Sequence, residues 1–299
     1  MISLASPTVA ILLTGMLVGV SAALLGSFLV LRGNSMLADA ISHSILFGIA
    51  LAWLLTGQTT GPVQIAGAAL SGVLAVLLIE TLTRTRRLRD DAAIGLVFPA
   101  LFSIGVLLIN VFARDVHLDE HTVLLGEIGF VWLDTLTLGG VELPRATLAM
   151  AVMLVLDAVF VLVFYKSLKL ATFDPDLARA LGLAPGLVFY AHLSLLSGTA
   201  VAAFDAVGVV LFVTFVVVPP ATALLLTRRL STLIVVAMLI AAASAPIGYG
   251  VALWLDVSIG GSMALATGPF LAAAYAWRRW QTARRRRVRP VQPASSASA

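Results

Sequence analysis

Two residues of the kind that hold metal ions stand four positions apart in the stretch MLADAISHSILFGIALAWLLTG, where Asp39 and His43 are set among apolar side chains. On a helix, positions i and i+4 share a face. A carboxylate oxygen and an imidazole nitrogen placed there can grip one divalent cation together. Two donors do not fill a coordination shell, so water or other residues must complete it. Such a weak, partly hydrated site suits an ion that has to leave as well as enter. The plainer alternative is that both residues lie near an interface and hydrogen-bond neighbouring groups, Ser42 or Ser44 among them.

A second cluster, His117-Leu118-Asp119-Glu120-His121, gathers oxygen and nitrogen donors within five residues. His117, Asp119 and His121 could ligate a cation, or the acidic stretch could simply draw cations toward a pore mouth. A third segment, TFDPDLARALG, reads as a short helix. Asp174 is placed to cap it, Pro175 opens it, Asp176 adds negative charge to its first turn and Gly182 can close it. Leu177, Ala178 and Leu181 would form an apolar side able to dock on a partner protein. A fourth feature, Val218-Pro219-Pro220, predicts a kinked span. Among other ionisable residues, Asp157 falls mid-span and must face other helices. Glu80 reads as an interface residue, and His192 as one side of a helix-to-helix hydrogen bond.

The elements that must position these groups are membrane spans. Of the 299 residues, 60% are hydrophobic and only 11% charged, whereas soluble domains are about half apolar and a quarter charged. Apolar runs near 8–31, 36–56, 62–83, 92–113, 146–165, 187–204, 206–227, 231–255 and 259–277 each suffice to cross a bilayer. The chain is therefore expected to be an all-α polytopic transmembrane bundle of about eight or nine spans. Only Phe204-Asp205-Ala206 separates the sixth and seventh runs, which calls for a tight reversal or a broken helix. The first run has no basic region ahead of it and reads as a retained span, not a cleaved signal peptide.

Charge orients the bundle. Arg32, the run Arg84 to Arg89, Lys166, Lys169, Arg179, Arg228, Arg229 and the Arg-rich segment from Arg278 all fall on one side. The connection that carries Asp115, Asp119, Glu120, Glu127, Asp134 and Glu142 falls on the other. By the positive-inside rule the basic side is cytoplasmic, with the N-terminus outside and the C-terminus inside. The formal charge of +4 follows from these orientation signals, so nucleic acid is not an expected partner. Residues 1–280 form the transmembrane domain in this reading, and 281–299 a basic, disordered tail that can touch anionic lipid. There is no cysteine, so thiolate metal sites are excluded.

The stretches GSFLVLRGNSMLADAISHSILFGIAL, LDEHTVLLGEI, LATFDPDLARALGL and AVGVVLFVTFVVVPPATALLLTRRL, with their spacing, resemble the membrane subunits of bacterial ABC importers for manganese, zinc and iron. The resemblance covers nearly the whole chain. It implies a permease paired with a second copy or paralogue, two cytoplasmic ATP-binding subunits and an extracytoplasmic metal-binding protein. It implies no cofactor, only a transported divalent ion that Asp39 and His43 would coordinate. Manganese is the first choice for that carboxylate and imidazole set, with zinc or ferrous iron next. Ser44 stands where the family motif ends in alanine, which leaves the ligand pair intact. Residues Asp174 to Gly182 match the helix that contacts the ATPase. The competing reading is an ion-coupled secondary metal transporter with protons carried by Asp39, Asp157 or Asp205.

Overall fold

A computed structural model describes residues 6–58, 62–112, 128–138 and 141–288. The apolar runs become helices because, in lipid, each backbone N–H and C=O must be satisfied within its own segment. They are α1 (Pro7–Leu31), α2 (Met36–Thr56), α3 (Pro62–Arg84), α4 (Asp90–Phe112), α5 (Arg145–Val163), α6 (Tyr165–Phe173), α7 (Pro175–Ala180), α8 (Pro185–Leu226), α9 (Leu230–Leu255) and α10 (Ile259–Val288). Proline opens α1, α7 and α8, where its missing N–H costs nothing. Among the described residues nine helical stretches are long and apolar enough to span a membrane, and their bounds differ from the expected runs by a few residues at most, except where α10 runs on.

The ninth span comes from α8, which is two helices in one. Gly208 interrupts it at φ +74 and ψ 169, a backbone conformation that glycine adopts readily and residues with a Cβ rarely do. Phe28 in α1 packs on His192, and Gly26 lies against the backbone of Val216. A straight helix would hold residues 192 and 216 about 36 Å apart, yet both meet α1 within one turn. The chain therefore doubles back. The expected break at Phe204 to Ala206 occurs a few residues further on, at the glycine.

Around α1 pack α5, α8 and α9, with α10 against α8 and α9, while α2 lies between α3 and α4. Small residues make the closest approaches, as is usual where van der Waals packing drives helix association in lipid. A Cβ on Gly26 would overlap the Val216 backbone, and one on Gly48 would overlap the carbonyl of Gly67. The largest fully buried side chains include Phe28, Phe212 and Phe215, at the seam between α1 and the second arm of α8.

Arg32, Arg84 and Arg179 line one cleft of about 450 Å³, together with Glu80, Asp90 and Phe189. There Arg84 Nη2 donates to Glu80 Oε1 at 2.6 Å. Arg32 donates to the Ala171 carbonyl at 3.1 Å and lies 4.0 Å over the Phe189 ring, so the end of α1 is tied to both α6 and α8.

Two features depart from the expectations. Thr135–Leu138 and Val141–Pro144 pair as an antiparallel hairpin, with Thr135 opposite Pro144, in a chain read as all helix. The tail was expected to be disordered from residue 281, but α10 continues through Val288; arginine is a good helix former. The last residues, 289–299, lie outside the described ones.

Candidate functional site

The first three turns of α2 carry the candidate pair. His43 Nε2 lies 3.5 Å from Asp39 Oδ1, and both side chains are about one-third exposed, at 33% and 38%. Their neighbours Leu37, Ala38, Ala40, Ile41, Ser42 and Ser44 are buried. The pair thus projects from the face of α2 that its own bundle leaves open. Phe98 and Phe102 of α4 flank the imidazole at 5.5 and 5.9 Å between ring centres, which restricts its rotamers and leaves a ring nitrogen toward Asp39. Ser42 and Ser44 do not engage the pair: their hydroxyls donate to the carbonyls of Ala38 and Ile41 at 2.7 and 2.8 Å.

No third His, Cys, Asp or Glu joins Asp39 and His43 among the described residues. An ion held here keeps positions for water, backbone oxygen or groups from another chain. The second predicted cluster, His117, Asp119 and His121, lies outside the described residues.

The short helix α7 has its expected caps. Asp174 Oδ1 accepts from Leu177 N at 2.9 Å, Arg179 pairs with Asp176 at 2.6 Å, and Gly182 closes the turn at φ +78. Its apolar side needs correction. Ala178 is fully buried and seats α7 on the bundle, while Phe173, Leu177 and Leu181 are exposed at 59%, 46% and 65%. With a spacing of four, Leu177 and Leu181 share the outward side of α7, whereas Phe173 precedes the break at Asp174 and belongs to α6.

Two buried ionisable groups stand apart from the pair. Asp157 of α5 accepts from Ser21 of α1 and, at 3.0 Å, from Thr199 of α8. One carboxyl group thus joins three helices, and an adjacent bond of 2.6 Å between Thr14 and Thr147 adds a further link from α1 to α5. The partners of Asp157 could not be found from sequence, because serine and threonine are common in spans and these lie 136 and 42 positions away. Replacing Asp157 with alanine would strand the buried Ser21 hydroxyl, while Thr199 keeps its 3.0 Å bond to the Leu195 carbonyl, and lower stability by about 1–3 kcal/mol, read as a lower unfolding temperature in detergent. Asp157→Asn, which keeps an acceptor oxygen, should recover most of the loss; an equal drop would mean that the charge itself is needed.

His192 makes aromatic contacts in place of the expected hydrogen bond. It meets Phe28 edge-on at 5.6 Å and stacks on Phe160 at 6.4 Å, and neither ring nitrogen has a hydrogen-bond partner among the described residues.

Residues 7–276 match the family model described as the ABC 3 transport family. The manganese transport system membrane protein MntD of Bacillus subtilis (strain 168) is 48% identical over 266 residues, spanning 89% of the chain and 90% of the relative. The zinc transport system membrane protein TroD of Treponema pallidum (strain Nichols) is 42% identical over 268 residues, spanning 90% and 73%. Among solved structures, PsaBC from Streptococcus pneumoniae in complex with Fab superposes with a TM-score of 0.73 at 27% identity, covering 89% of the chain and 90% of the matched chain.

Proposed function

Since the chain belongs to the ABC 3 transport family, we propose that it carries a divalent transition metal into the cytoplasm, manganese first and zinc or ferrous iron next. It is a multi-pass membrane subunit and not the ATPase, and its sequence has no GxxxxGK[ST] loop. The observation that carries the metal reading is the partly exposed Asp39 and His43 pair on a spanning helix. Ionisable groups there face protein or water and not lipid. The names of the manganese and zinc relatives support the choice of cargo.

A second permease subunit, identical or paralogous, covers the open face of α2. That face runs from Met36 through Asp39 and His43 to Leu51 and Leu55, so it is apolar beyond the pair. Two such faces brought together would enclose a path with ligands from both subunits and water between them. The basic end of the bundle is the cytoplasmic end, with the N-terminus outside. His117, Asp119 and His121 act on the outer side, collecting cations from the metal-binding protein that delivers them.

Two cytoplasmic ATP-binding subunits engage α7. Phe173, Leu177 and Leu181 are the contact residues, and Asp174, Pro175 and Gly182 set the ends of α7. Leu181→Asp should cut co-purification of the ATPase about tenfold or more, as loss of a central apolar contact does. Asp174→Ala, which removes one cap worth about 1 kcal/mol, should weaken it less. Pull-down from detergent compares the two; equal retention by Leu181→Asp would place the ATPase elsewhere.

The test of the whole reading is reconstitution with the ATPase and binding protein in liposomes, followed by uptake of manganese, zinc and ferrous iron. Accumulation that requires ATP and favours manganese is expected. Uptake that persists without ATP, or no metal uptake at all, overturns it.

A further inference from the structure

Where the second arm of α8 ends and α10 leaves the bundle, Leu225, Tyr275, Arg278, Arg279, Thr282 and Ala283 surround a notch of about 470 Å³. Its lining joins two guanidinium groups and two hydroxyls to an apolar wall, with no carboxylate. Neither Arg278 nor Arg279 forms an ion pair among the described residues, so both cations are available to an incoming anion. Arg279 lies 5.9 Å from the centre of the Tyr275 ring. On the same helix Trp277 and Trp280 pack at 5.1 Å, and Arg284 covers Trp280 at 4.1 Å. Amphipathic aromatics of this kind gather at headgroup depth.

The depth agrees. At 30 residues, α10 is about 45 Å long, whereas the hydrocarbon core is about 30 Å thick. About twenty residues from Ile259 consume that core, so Arg278 and Arg279 emerge where phosphate groups lie. We propose that this notch is a binding site for the phosphate of an anionic phospholipid, held by the guanidinium forks of Arg278 and Arg279 with an acyl chain against Leu225. The site is independent of the cargo and of which metal is carried.

The test is native mass spectrometry of the full chain with its ATPase, released from nanodiscs of phosphatidylcholine mixed with phosphatidylglycerol. The wild type should retain phosphatidylglycerol preferentially. The Arg278→Gln, Arg279→Gln double variant should lose about 30-fold of that preference, while the Arg278→Lys, Arg279→Lys variant, which keeps the charge but not the fork, should fall between the two and reports intact folding. Equal retention by the glutamine variant overturns the proposal. So does displacement of the lipid by glycerol phosphate at equal concentration, which would make this a site for free phosphate. Loss of the ATPase with lipid retention unchanged would assign the arginines to the partner protein and would also overturn it.

Discussion

Asp39→Ala and His43→Ala should each reduce ATP-dependent metal uptake by about a hundredfold or more. Loss even of a group that only supports a ligand costs 10- to 100-fold, and here one of two protein donors is removed. Because both side chains are one-third exposed and outside the buried set of α2, neither change should prevent folding or ATPase attachment, although His43→Ala gives up the ring contacts with Phe98 and Phe102. Co-purification of the ATPase with each variant separates transport loss from assembly loss. The double variant should be no worse than either single one, since groups that share one ion act as a unit. Uptake near the wild-type rate in an assembled Asp39→Ala complex would mean that the pair only meets water at the open face of α2 and takes no part in transport. Losses that multiply in the double variant would assign the two residues to different steps.

The second large effect concerns packing. At Gly48 a methyl group would meet the Gly67 carbonyl and the Ser71 side chain, and Gly67 faces Gly48 in return. Because the obstruction is backbone, it cannot rotate away, and α2 and α3 must separate. Gly48→Ala should therefore lower stability by about 1–3 kcal/mol, and Gly48→Leu by more. Since Gly48 lies on the helix that carries Asp39 and His43, uptake should fall with it. Gly95 in α4 supplies the control: nothing lies within 4 Å of a Cβ there. Gly95→Ala should be neutral or slightly stabilising, because alanine is the better helix former. Thermal unfolding in detergent measures both. A Gly48→Ala protein as stable as the wild type would mean that the two helices can part at little cost.

The spans were legible because a bilayer demands about 20 apolar residues and the chain supplies them with charges between. Asp39 and His43 were legible for the same reason, since charge stands out against apolar surroundings. Other features lacked such contrast. The break at Gly208 sits inside the apolar run AVGVV, so the polar Asp205 drew attention to a point three residues early. The hairpin had a signal in TLTLGGVELP, where extended residues flank Gly-Gly, but the surrounding acidic residues dominated the reading. Ala178 could not be assigned to a side from six residues, because which face of a short helix is buried depends on what it packs against.

The way α7 is mounted has a mechanical consequence. It is a short rod of six residues set between two bends, at Asp174 (φ −148, ψ 81) and at Gly182 (φ +78), each closed by hydrogen bonds. Just before the first bend, Arg32 bolts the Ala171 carbonyl to the foot of α1 and rests on Phe189 at the foot of α8. A load placed on the rod would therefore reach the bases of two spanning columns, and the bolt fixes where the lever would bear.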